Sequence, residues 1–182
     1  MEKKYKLTEE TINVANRTLY RIEALRDFCD VKKGDKGGFV EKEENLSQSD
    51  NCWIYYSAKV YDNARVLDNA RVYDYAEVYD KAWVYGNAEV FNNAQVYCNA
   101  LVIDNARVYS NAKVCDNAMV FGNAEIYGSA EVYDDAMVYG NAKVYANAKV
   151  YDNAKVFEEA KIYGNAKVSG EARVYGKAKI CG

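Results

Sequence analysis

Hydrophobic and polar positions recur along most of this chain with a period of six. From Ile54 to Ile180 every sixth residue is Val or Ile, and the residue four places after each, Ala58 through Ala178, is always Ala. The phrase reads V-Y-D-N-A-K: an aliphatic residue, an aromatic, two turn residues, Ala and a charged residue, with no insertion, deletion or proline. Within it, A-K-V-Y alternates small, polar, aliphatic and aromatic, the period-two pattern of a short strand with one buried face. Ala and Val are expected to point inward and the Lys and Tyr positions outward. Asn63, Asn69, Asn87, Asn105 and Asn123, among others, fill the second turn slot. Asn tolerates the left-handed region better than other non-glycine residues, so this slot is expected to be a positive-φ corner.

Two topologies use such a unit. An antiparallel meander of hairpins would leave its Val/Ala face bare to water, with nothing in the chain to cover it. A solenoid bends the chain part-way round at each turn and brings those faces together along an axis. Ala at every corner suits a narrow interior and Val fills the middle of each wall, so the pattern predicts a solenoid. The pattern [IV]-x-[DG]-N-A-x resembles the hexapeptide repeat of left-handed parallel β-helices, whose triangular coils take three hexads. The left hand comes from that resemblance, since parallel crossovers are normally right-handed. Twenty-one complete hexads then imply about seven coils, a prism roughly 35 Å long.

Residues 1–47 differ in kind. A strand is expected around Leu19–Leu25, a turn at Gly34-Asp35-Lys36-Gly37-Gly38, and a second strand at Phe39-Val40. Such a segment reads as a β cap, which the first coil of a solenoid needs to cover its core and its unpaired backbone. Cys52 and Leu46 fall on the Ala slot when the six-residue count is carried backward, so the cap (1–47) is expected to run into the β-helix (48–182) as one unit. T-L-Y-R-I-E-A-L-R-D-F, G-D-K-G-G-F-V-E-K-E-E-N-L-S-Q and C-W-I-Y resemble a bacterial and prophage-borne group of hexapeptide-repeat proteins, often labelled putative transferase or polymer-forming protein. That resemblance implies a fold and a cap, not an activity.

If residues eighteen apart stack, the outer surface sorts into columns. A first wall carries Arg71, Glu89, Arg107, Glu125, Lys143, Lys161 and Lys179 beside Tyr73, Phe91, Tyr109, Tyr127, Tyr145 and Tyr163. A second carries Lys59, Glu77, Gln95, Lys113, Glu131, Lys149 and Lys167 beside Tyr61, Tyr79, Tyr97, Tyr133 and Tyr151. Both read as solvated walls with charge and ring ladders. The third wall departs from this. Between Arg65 and Lys155 its outward pairs are Trp83/Tyr85, Leu101/Ile103, Met119/Phe121 and Met137/Tyr139, with Phe157 one coil further. Contiguous apolar patches beyond several hundred Å² mark interfaces, so this strip is expected to be a protein interface, in a dimer or trimer of this chain or against another protein.

Composition narrows the chemistry. The chain has no histidine, whereas the acyltransferases of the resembled fold use a histidine base and its carbonic-anhydrase-like members need histidine zinc ligands. No catalytic residue, metal or cofactor is therefore expected. Asp62, Asp80, Asp116, Asp134 and Asp152 stack at one corner, where Asx-turn geometry is the simpler reading than Ca²⁺. Net charge is −3, which disfavours nucleic acid; residues 140–182 are net +4, leaving −7 for 1–139. Met1-Glu2-Lys3-Lys4 opens no signal peptide, no apolar run is long enough for a membrane span, and five scattered cysteines read as free thiols in the cytosol. The resulting expectation is a cytoplasmic, non-enzymatic, oligomeric binding protein, its prophage-like company suggesting a phage-borne binder of a host or anti-phage defence factor. A degenerate acyltransferase and a filament former are the alternatives.

Overall fold

The computed structural model describes residues 3–182; Met1 and Glu2, where the leader reading begins, lie outside them. Two antiparallel strands, β1 (Tyr5–Val14) and β2 (Arg17–Ala24), and a third, β3 (Lys36–Val40), open the chain; one 3-10 turn at Glu43–Asn45 follows, and then only two- and three-residue strands. These stack into three sheets of ten, eight and seven strands, each short strand pairing in parallel with the one a coil away. Arg107 lies against Glu89 and Glu125, and Leu101 against Trp83 and Met119, so residues eighteen apart do stack. The molecule is an all-β solenoid, a three-walled parallel β-helix.

The hexad satisfies its own backbone. In each unit that another coil follows, three N–H groups donate to that coil, as Lys59, Tyr61 and Asn63 do to Ala76, Val78 and Asp80 at 2.7–3.1 Å. The Ala64 N–H closes the corner on the Tyr61 carbonyl at 3.2 Å. Every repeat Val, Ile and Ala from Ala58 to Ile162 is fully buried. Their stacked side chains form one continuous core along the axis.

Two features differ from expectation. The left-handed corner falls on the first turn slot, not on the Asn of the second: Asp62, Asp80, Asp116 and Asp152 have φ of 57–58°, and Gly86, Gly122 and Gly140 have φ of 70–73°. The Asn side chains do other work. Asn51, Asn69, Asn87, Asn105, Asn123 and Asn141 form an axial amide ladder, each amide N–H donating to the next side-chain oxygen at 3.1–3.2 Å.

There are also about eight coils, not seven. Phe39 and Val40 of β3 pair in parallel with Lys59 and Val60, Leu46 bridges Val66, and Trp53–Ile54 pairs with Arg71–Val72. A further coil is thus completed by non-repeat sequence on two of its three walls. Leu46 lies twenty residues before its partner, so it holds the Val place of its coil rather than the Ala place that the six-residue count gives. Gly37 and Gly38, read as turn residues, belong to β3. A Cβ on Gly37 would come within 2.6 Å of Ile22 and of the Ile54 carbonyl, and one on Gly38 would collide with Ile54 and Ala58.

A cap of β1 and β2 closes this first coil. Tyr5 and Phe28 meet the Trp53 ring edge-on at 6.1 and 5.3 Å, and all three are buried. The fully buried Lys4 donates to the carbonyls of Ser49 and Cys52 at 3.0 and 2.9 Å and to the Cys52 thiol at 3.3 Å. Those three acceptors match the three N–H groups of an ammonium; burial, the largest influence, lowers the Lys4 pKa.

Candidate interaction surface

The local rule of the hexad decides what each wall can present. Inward places are occupied by Val and Ala, so function is left to the outward strand position, the aromatic beside it, and the corners. On the first and second walls the outward charges pair across coils: Lys59 with Glu77 at 2.7 Å, Arg107 with Glu89 at 3.1 Å, Lys143 with Glu125 at 2.7 Å and Lys149 with Glu131 at 2.6 Å. Their rings stack nearly parallel, Tyr73 through Tyr163 at 4.7–5.2 Å between centroids on the first wall. Packed among neighbouring coils, Tyr73, Tyr79 and Tyr109 are pushed up to about 12, chiefly by burial.

The corner carboxylates have a structural task. Asp68, Asp104 and Asp152 each accept the N–H of the turn residue one coil on, Gly86, Gly122 and Gly170, at 2.9–3.0 Å; Asp80, Asp116 and Asp134 do the same for Cys98, Asp134 and Asp152 at 3.1–3.4 Å. These are N–H groups that the inter-coil ladder leaves over. No group of three or more potential metal ligands occurs among the described residues.

The third wall brings all nine candidate interface residues together. Its strands run from Arg65–Val66 to Arg173–Val174 in one sheet, with Trp83, Leu101, Met119 and Met137 in direct register and Lys155 next. Beside them, Phe121, Tyr139 and Phe157 stack at 4.7 and 5.0 Å. Tyr85 meets Trp83 edge-on at 6.4 Å, and Ile103 separates Tyr85 from the Phe121 stack. The Arg65 guanidinium lies 5.7 Å from the Trp83 ring centre, closing one end of the strip. Trp83 is 39% exposed; the others are half-buried, because each leans on its neighbours in adjacent coils.

Two exposed rings, Tyr56 and Tyr75, escape the column reading. They are 66% and 65% exposed at a corner, in turn slots that hold no other aromatic residue from Ile54 onward. A bulky ring in a turn slot has no coil neighbour to pack on, and that was the available signal. Tyr56 lines a shallow cleft with Asp30, Tyr55, Arg71, Tyr73 and Glu89, where the Tyr55 hydroxyl donates to Asp30 at 2.9 Å. Tyr175, 59% exposed, continues the third wall past Phe157 at 5.3 Å. The five cysteines are all free thiols, and no helix among the described residues is long and apolar enough to cross a membrane.

Comparison with known proteins agrees with this architecture. The family described as YdcK beta solenoid repeat matches residues 58–74. An Escherichia coli K12 protein carrying the name "Uncharacterized acetyltransferase YdcK" is 39% identical over 61 residues, which cover 29% of this chain and 19% of that relative. The matched region thus spans about a fifth of the relative's length. With its unbroken hexads and three-walled coils, the chain fits the hexapeptide-repeat β-helix group.

Proposed function

We propose that this solenoid is a non-enzymatic binding protein of the cytosol that uses its third wall to associate with a second copy of itself. The observation that carries the reading is the loss of charge from one column alone. Over four coils the outward position holds Trp83, Leu101, Met119 and Met137, where the other two walls keep ion pairs. An apolar position facing water gains nothing for the fold that a Lys/Glu pair would not supply, whereas it gains much when another surface covers it. Free thiols fit a reducing compartment.

Acyl transfer is the second reading, and its support is the printed name of the E. coli relative. Against it stand the chain's lack of histidine and the unbroken hexads, which extend no loop from any coil to shape an acceptor site. Light scattering on the native protein and on the double variant Leu101→Lys/Met119→Glu separates the readings. A native dimer or trimer with a folded monomeric variant is the expected result. A native monomer overturns self-association, and mass that grows with concentration without a plateau points to a filament. Saturable binding of acyl-CoA would shift the assignment to an enzyme.

A further inference from the structure

The ring ladder on the second wall has one missing rung. Tyr61, Tyr79 and Tyr97 stack at 5.1 and 5.0 Å, and Tyr133 and Tyr151 stack at 5.0 Å, each pair within 4° of parallel. Between the two stacks stands Cys115, in a place where every neighbouring coil carries a tyrosine. A thiol is far shorter than a phenol ring, so the facing sides of Tyr97 and Tyr133 are left about two strand spacings, roughly 10 Å, apart. The space between them is an open notch of about 200 Å³ lined by Tyr97, Lys113, Cys115, Asp116, Glu131 and Tyr133. An apolar cavity of about 150 Å³ suffices for benzene. A ring placed midway would lie about 5 Å from each tyrosine, within the range aromatic pairs prefer.

The polar partner of the missing ring is also present. Elsewhere a ladder tyrosine donates its hydroxyl to the glutamate sixteen residues on: Tyr61 to Glu77 at 3.3 Å, Tyr73 to Glu89 at 3.4 Å and Tyr109 to Glu125 at 3.0 Å. The same step from position 115 leads to Glu131. Lys149 holds Glu131 through one carboxylate oxygen at 2.6 Å, as Lys59 holds Glu77 through the oxygen that Tyr61 does not use.

We propose that the notch at Cys115 is a binding slot for a phenol ring, which inserts between Tyr97 and Tyr133 and donates its hydroxyl to Glu131. Both a small free phenol and the tyrosine side chain of a polypeptide carry this chemistry. Burial pushes the Cys115 thiol up to about 11, so it stays protonated at neutral pH and the slot holds its ring without covalent reaction.

Fluorine NMR of para-fluorophenol titrated with the full chain tests this. The expected result is a saturable shift that weakens about tenfold for fluorobenzene, which lacks the hydroxyl, and by a similar factor in Glu131→Gln. It should vanish in Cys115→Tyr, where the protein supplies its own rung. Should that variant fail to fold, Cys115→Ile blocks the slot equally, and Ile103 shows that isoleucine is accommodated at this position of a coil. Absence of a saturable shift overturns the proposal, and so does a shift that survives either filled variant. N-acetyl-3-fluorotyrosinamide separates the two sources: comparable binding assigns the slot to a polypeptide tyrosine, and exclusion assigns it to a small phenol.

Discussion

The repeat tube and the cap with its first coil are joined without a break, yet they are held together by opposite means. In the tube each coil is fixed by the same few interactions. These are three backbone bonds per hexad, a buried Val and Ala, a corner carboxylate on a turn N–H, and a side-chain ladder at each face. No residue there is special, and stability is approximately a sum over neighbouring coils. In the first coil the partners are unique. Trp53 lies under Tyr5 and Phe28, Lys4 bonds the carbonyls of Ser49 and Cys52, and the Asn45 amide donates to the carbonyls of Asp62 and Ala64. A repeated rule tolerates local damage, whereas a closure built from single residues does not.

The largest effect should come from alkali, which strikes the tube everywhere at once. Tyr73, Tyr79 and Tyr109 titrate near 12 in the folded chain against 10 for an ordinary tyrosine. Folding raises these values, so the native state holds their protons more tightly. That stability is complete below about pH 10 and is lost as pH rises toward 12. The last of the tyrosinate absorbance and the loss of β circular dichroism should rise together near pH 12; tyrosinate absorbance complete by pH 10 with the fold intact would show that the ladders do not matter to stability.

Next come single residues at the closure. Trp53→Ala should cost about 3–5 kcal/mol, and Val108→Ala in a middle coil about 2 kcal/mol. Urea unfolding of both measures the contrast, and equal costs would erase the distinction drawn between the regions. Lys4→Ala leaves the buried Cys52 carbonyl and the part-buried Ser49 carbonyl without their donor and should cost about 2 kcal/mol. Lys4→Met, which fills the space but donates nothing, separates the hydrogen bonds from packing.

The smallest effect lies back in the tube. Ala146 occupies the left-handed corner at φ 61°, where its Cβ is unwelcome, so Ala146→Gly should stabilise by about 1 kcal/mol. A thermal melt that falls instead would mean that chain entropy outweighs corner strain.

The tube was legible because its signal is arithmetic. A Val every sixth residue fixes which faces are buried, and an eighteen-residue coil predicts every stacked pair from Arg71–Glu89 to Phe121–Tyr139. The corner was placed one residue late because Asn is the more familiar left-handed residue. Here the Asp before it needs the bend, which brings its carboxylate to the next coil's N–H. The first coil was not legible as a coil. Nothing in F-V…L marks a repeat, and the twenty-residue spacing of those residues from their partners is fixed only by pairing with coils that come later. Lys4 looks in sequence like one more surface lysine. The third wall was readable down to each of its nine residues, whereas the notch at Cys115 was not, since a gap is defined by the rings on either side of it.

The strict stacking of residues eighteen apart makes the solenoid a counter that works modulo eighteen. Removing one whole coil from the middle would leave every downstream side chain on its own wall and shorten the molecule by one strand spacing. Removing a single hexad would keep the core equally well, because Val and Ala recur every six. It would, however, turn all that follows by one face, moving Met119 and Met137 off the wall of Trp83 and setting Glu125 and Lys143 in their place. The fold reads its sequence in sixes and the surface reads it in eighteens. Length changes that the core accepts without penalty can therefore scramble what the molecule displays, and related chains that keep the same surface should differ in length by whole coils.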